Sequence, residues 1–195
     1  MDIDKFLEFY KNNFIPVYAD LVAYIADKPI QIIIEIENSF AHLTIFLDKT
    51  NPKEIQIENL NKAYNHLLRA SLDCYKLLWI EMSKDIDIIL KDENKRKFTT
   101  NMPEIEILQL YTQFKEKAKI ARKKELQTIG LNNQEVLNEY KTTIEIGWKI
   151  LHNIDKEKLK SYSKFNIKNI IKQHGIGFII GIISSIMASI LWNLI

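Results

Sequence analysis

Leu68, Leu72, Tyr75, Trp79, Met82, Ile86 and Ile89 recur at steps of four and three residues, and Ile57, Leu60, Tyr64, Leu67, Ser71, Cys74 and Leu78 make a second seam beside them. Those steps are the helical period, and two adjacent apolar seams on one helix require neighbours on two sides. The pattern predicts a helix over 52–92, about 60 Å long at 1.5 Å per residue. The same period runs through Ile107, Tyr111, Phe114, Ala118 and Ala121, and again through Leu137, Tyr140, Ile144, Gly147, Leu151 and Ile154. The small residues Ala118, Ala121 and Gly147 would let neighbouring helices approach closely. Only IQIIIEIE, Ile30 to Glu37, has the alternation of a strand, and it is short enough to be read either way.

Helix starts repeat one device, a capping Asp or Asn ahead of a proline: Asp27 with Pro29, Asn51 with Pro52, Asn101 with Pro103. Proline is tolerated in a first turn, where its missing N–H would have no partner, and the side-chain oxygen accepts from a free amide. The expected helices are 2–26, interrupted near Pro16, then 28–48, 52–92 and 102–129. Gly130 is the expected terminator, with Asn132 or Asn133 starting the next helix. The fold class is all-α, a bundle of four to five long helices.

The last residues change this picture. From Ile176 to Ile195 there are 20 residues without a charge, about 30 Å of helix, the thickness of a bilayer core. The expectation is a single C-terminal transmembrane helix. Gly177, Gly181, Ser185, Ser189 and Asn193 recur every four residues and form a small or polar ridge, which lets membrane helices meet closely and hydrogen-bond across the contact. Ile179, Ile183, Ile186 and Ile190 lie opposite, suited to lipid, with Trp192 near the far interface. Just before the span, Lys156, Lys160, Lys164, Lys168 and Lys172 also recur every four residues, and 156–172 carries a net charge of +5. Dense lysine beside an apolar span is the cytoplasmic flank of the positive-inside rule, and it would meet anionic lipid at the membrane surface. The expected organisation is a cytosolic helical bundle over 1–154, a lysine-rich juxtamembrane segment over 155–174 and the span over 175–195. That is the layout of a tail-anchored, single-pass protein of the inner membrane with a cytosolic N-terminus.

Composition agrees with a folded body: of 195 residues, 47% are hydrophobic and 27% charged, for a formal charge of +2. The start, MDIDKFLEFYKNNF, lacks the apolar run of a signal peptide. One cysteine, Cys74, cannot close an intramolecular disulfide, and the four histidines are scattered, so a reducing setting without a metal or other cofactor is expected. The heavy use of isoleucine, lysine and asparagine suggests a low-GC bacterial gene.

Candidate chemistry is sparse. His66, Arg69, Asp73 and Lys76 fall within about 80° of one another on the 52–92 helix and form a candidate ligand stripe, Arg69 and Lys76 being suited to an anion such as a nucleotide phosphate. The plainer alternative is a solvated face with Arg69 pairing Asp73 at i,i+4, and Lys62, Ser83 and Asp87 extend it. Asp85 and Asp87 lack the glycine and terminal glutamate of a calcium loop. KEKAKIARKKE, 115–125, holds six basic residues against two glutamates but no interleaved aromatics, so nucleic-acid binding is not expected of it. Phosphate-cradling, zinc-binding and nucleophile-elbow motifs are lacking. No arginine has a histidine four to six residues after it, the spacing a helical HEPN ribonuclease would need. A catalytic site is not expected.

In layout, a helical cytosolic domain joined to one membrane helix, the chain resembles small membrane effectors of bacterial antiviral defence, including CRISPR-associated accessory proteins. That resemblance implies a non-enzymatic effector that homo-oligomerises, answers a protein or nucleotide trigger, and forms a pore or perturbs the membrane. It carries over no residue roles. The alternatives are a tail-anchored adaptor that docks a partner at the membrane and, behind it, an enzyme built from dispersed residues such as His66, Arg69 and Asp73.

Overall fold

The computed structural model describes residues 2–127, 134–162 and 164. Over these the protein is helical: α1 (Ile3–Phe9), a π-helical turn (Tyr10–Phe14), α2 (Ile15–Ile25), α3 (Ile30–Leu47), α4 (Lys53–Leu90), α5 (Glu93–Thr99), α6 (Glu104–Gln127) and α7 (Gln134–His152). Residues 156–162 are helical as well. The all-α expectation holds for the described residues, and IQIIIEIE lies within α3. The span expected over 175–195, its ladder Gly177, Gly181, Ser185, Ser189 and Asn193, and Lys168 and Lys172 lie outside the described residues.

The 38-residue α4 is the spine, with α2, α3 and α7 packed along it, while α6 pairs chiefly with α7. Both apolar seams do the packing: Leu68, Tyr75, Met82, Ile86 and Ile89 of the first and Leu60, Leu67, Ser71, Cys74 and Leu78 of the second are buried. Ile57, at the start of the second seam, is instead exposed. Gly147 sits where α7 meets α4 and α6, and a Cβ there would come within 2.7 Å of Met82 Cε and 3.0 Å of Phe114 Cε2. With Ala118 and Ala121 buried on α6, the small residues do allow close approach.

Two details differ from expectation. The prolines are N-caps rather than first-turn residues: the carbonyls of Pro29, Pro52 and Pro103 accept from Ile33, Gln56 and Ile107 at 3.4, 3.0 and 3.1 Å. Asp27 instead accepts from the Lys28 amide, and Asn51 donates to the Ile45 carbonyl, so neither caps the helix that follows. The break before Pro16 is a widened turn, in which the Ile15 amide reaches five residues back to Tyr10. Proline offers no N–H and its ring crowds the carbonyl four residues earlier, which a π turn relieves. Phe14 stacks between Tyr10 and Tyr18, at 5.7 and 5.4 Å, and holds the turn.

The chain leaves α7 through a fixed corner. Asn101 N donates to Asn153 O at 2.8 Å and Asp155 N to Thr99 O at 2.7 Å, pinning the exit to the connection between α5 and α6. The Asp155 carboxylate then accepts from the amides of Glu157 and Lys158 at 3.0 and 2.9 Å, an N-cap for helix 156–162.

Candidate functional site

The stripe of His66, Arg69, Asp73 and Lys76 does not gather at one site. His66 turns to α3, its Nδ1 2.7 Å from Glu35 Oε2. Beside it the His42 ring stacks on the His66 ring at 5.3 Å, and His42 Nδ1 lies 2.8 Å from Asn59 Oδ1. Because Asn59 Nδ2 donates to Ile55 O, its oxygen faces His42, so His42 Nδ1 is the donor. Ser39 adds a buried bond to the Ala63 carbonyl, 2.8 Å. The α3–α4 seam is therefore a ladder of polar contacts.

Lys76 faces the other way, pairing with Asp73 at 2.5 Å and with Glu125 of α6 at 3.1 Å. Glu125 also accepts from Arg122 at 2.8 Å and from the Tyr140 hydroxyl at 2.9 Å. Burial pushes its carboxyl up, but these donors together outweigh that and leave it below the usual range. Arg69 is exposed, and Asp73 pairs with Lys76, so the expected Arg69–Asp73 pair is not formed. His66 and Lys76 thus brace α4 against α3 and α6, and as they stand the four residues enclose no ligand.

The basic run on α6 is largely consumed in the same manner. Lys115 pairs with Asp87 at 2.7 Å, Arg122 with Glu125, and Lys117 and Lys124 with Glu139 of α7 at 3.4 and 2.7 Å. Asp87 also accepts from Tyr111 and Lys91. Burial works against its charge, yet hydrogen bonds from Lys115, Lys91 and Tyr111 bring it down to about 2. Burial pushes the Cys74 thiol well up, which keeps it protonated and a poor nucleophile. Among the described residues no three His, Cys, Asp or Glu side chains gather to hold a metal ion.

Two surfaces remain. The first is the outer side of α3. Only Ile32 and Ser39 of its 18 residues are buried, while Ile30 is 74%, Phe40 51% and Leu47 61% exposed. Ile34 and Ile45 continue the apolar surface. Among the described residues α3 is the one helix long and apolar enough to cross a bilayer by length and composition, although one side of it is committed to α4. The helix itself was expected, over 28–48, but the apolar span was expected only at 175–195, and residue spacing gave no sign that the outer side of this helix would be left uncovered.

The second is a cavity of about 560 Å³ where α2, α4, α5, α7 and helix 156–162 converge. Tyr24 and Trp148 form one wall, rings edge to face at 5.5 Å, and His152 stacks on Trp148 at 6.0 Å. Tyr24 donates to Asp85 Oδ2 at 2.6 Å. Burial first, and then Asp85, push the Tyr24 hydroxyl well up, so it stays a donor. Lys95 and Lys156 stand at the cavity, and among the described residues neither makes an ion pair. Of the lysines expected beside the span, Lys156, Lys160 and Lys164 are exposed, and Lys160 pairs with Glu157. The sequence signal for this cavity was faint: Trp148, His152 and Lys156 recur at steps of four, but Tyr24, Asp85 and Lys95 lie about 50 to 125 residues away along the chain.

No protein-family model, no curated protein and no solved structure matches the chain.

Proposed function

We propose that the protein is a non-enzymatic membrane effector: the helical body self-associates, the apolar segments 175–195 gather through their small-residue ladder, and the assembly opens a pore in, or otherwise perturbs, the inner membrane. The setting is bacterial antiviral defence, following the resemblance in layout. The observation that carries the reading is the pairing of a charge-free 20-residue run behind a lysine-rich flank with a body whose α3 leaves an apolar face uncovered. Exposed apolar side chains collected on one helix face, here interrupted by Glu37 and Thr44, favour a membrane or protein contact. The inner polar ladder of Glu35, Ser39 and His42 ties α3 to α4, so the outer face is free to make that contact while the body stays folded.

The experiment is particle size of the full chain in detergent, by native mass spectrometry or electron microscopy, with dye release from vesicles alongside. A closed ring of many copies that releases dye supports the effector. A monomer that binds vesicles without releasing dye overturns it and favours the tethered adaptor, whose function would survive exchange of 175–195 for an unrelated span.

A further inference from the structure

The cavity at the exit of the chain has a lining that the assembly reading does not use. Its wall is aromatic, Tyr24 against Trp148, and flat rings of this kind bind other flat rings by stacking. Its cations are Lys95 from α5 and Lys156 from helix 156–162. Among the described residues Lys76, Lys91, Lys115, Lys117 and Lys124 pair with carboxylates, whereas Lys95 and Lys156, like Lys119, Lys123 and Lys149, do not. His152, stacked on Trp148, adds a ring nitrogen. Asp85 spends Oδ2 on Tyr24, and its other oxygen is left to accept from an amino or hydroxyl group. Buried Ile89 and Ile154 supply an apolar floor. At about 560 Å³ the volume lies within the range of small-molecule sites.

We propose that this cavity binds a planar aromatic anion of the nucleotide class, the base against Trp148 and Tyr24, the phosphate between Lys95 and Lys156, and Asp85 accepting from the base or sugar. The arrangement asks for both halves of such a ligand. Stacking alone would leave the two lysines at the cavity without an anion, and an inorganic anion alone would leave the aromatic wall wet. The ligand would also bridge the body to the segment that leads towards 175–195, because Lys156 and Leu159 belong to helix 156–162 while the other lining residues belong to the bundle or to its last corner at Ile154. Occupancy would therefore add a ligand-dependent tie between the bundle and helix 156–162 to the fixed corner that already joins them. That consequence rests on the effector reading, whereas the binding itself does not.

The test is calorimetric titration of the full chain in detergent with adenosine monophosphate, and separately with adenosine and with inorganic phosphate. The expected result is saturable binding of the monophosphate with Kd below about 1 mM, and binding at least tenfold weaker for adenosine and for phosphate. Lys95→Glu with Lys156→Glu should weaken the monophosphate at least tenfold with unchanged thermal unfolding, since neither lysine holds an ion pair; Trp148→Phe should weaken it less than Trp148→Leu. Three results would overturn the proposal: no heat with any probe at several times that concentration, phosphate binding as tightly as the monophosphate, or affinity indifferent to the double lysine reversal. Dye release is scored separately, so that leakage without binding sinks only this inference and binding without leakage sinks only the effector reading.

Discussion

His66 Nδ1 of α4 and Glu35 Oε2 of α3 lie 2.7 Å apart, with side chains only 18% and 12% exposed. This contact decides how His66 is used: it holds α3 rather than awaiting a ligand. His66→Ala leaves a largely buried carboxylate without its donor, and the expected cost is about 1–3 kcal/mol. Thermal unfolding followed by circular dichroism should register that loss. Arg69→Ala, at an exposed position, should stay within about 0.5 kcal/mol. Equal effects of the two substitutions would contradict this division of the stripe.

Gly147 measures how tightly α7, α4 and α6 are drawn together. Its missing Cβ leaves room for Met82 Cε, 2.7 Å from where that carbon would stand, and for the Phe114 ring. The end of a methionine side chain can move aside, so Gly147→Ala should be close to neutral, the gain in helix propensity offsetting the squeeze. Gly147→Val adds two methyl groups that both neighbours cannot yield to, and it should cost about 1–3 kcal/mol in urea or thermal unfolding. A valine variant as stable as the parent would show that the three helices do not close here.

Asp87 predicts an acid limb to stability. Its folded carboxyl lies at about 2, below the ordinary value of 3.8, because the donors Lys115, Lys91 and Tyr111 outweigh burial. A depressed carboxyl contributes fully above the unfolded value and loses that contribution as pH falls through the folded one. The Tm of the parent should therefore exceed that of Asp87→Asn by roughly 2–4 °C at pH 5, and the gap should close between about pH 4 and pH 2. A gap that stays constant over that window would mean the charge on Asp87 contributes nothing.

The parts of the fold that could be read in the sequence are those written in short-range periodicity. The two seams of α4 follow from residue spacing alone, and Ile57 fails because nothing packs over the first turns on that side. The expected helix starts at the prolines are early by one or two positions, since a proline suits either side of a helix boundary and only the chain path decides. The stripe on α4 is a real alignment of polar residues, but spacing on one helix does not say which neighbours stand to either side. It therefore could not reveal that His66 meets α3 and Lys76 meets α6. The cavity is the extreme case: Tyr24, Asp85, Lys95 and Trp148 come from four helices and share no local pattern.

The central claim is that 175–195 acts through contact with copies of itself and is more than an anchor. The most direct measurement is dye release from anionic vesicles by the full chain and by a variant carrying Gly181→Ile and Ser185→Ile, with vesicle flotation measured in parallel. The large side chains fill the ridge without lowering apolarity, so flotation should be unchanged and release should fall at least tenfold. Full release by the variant at equal membrane binding would contradict the account.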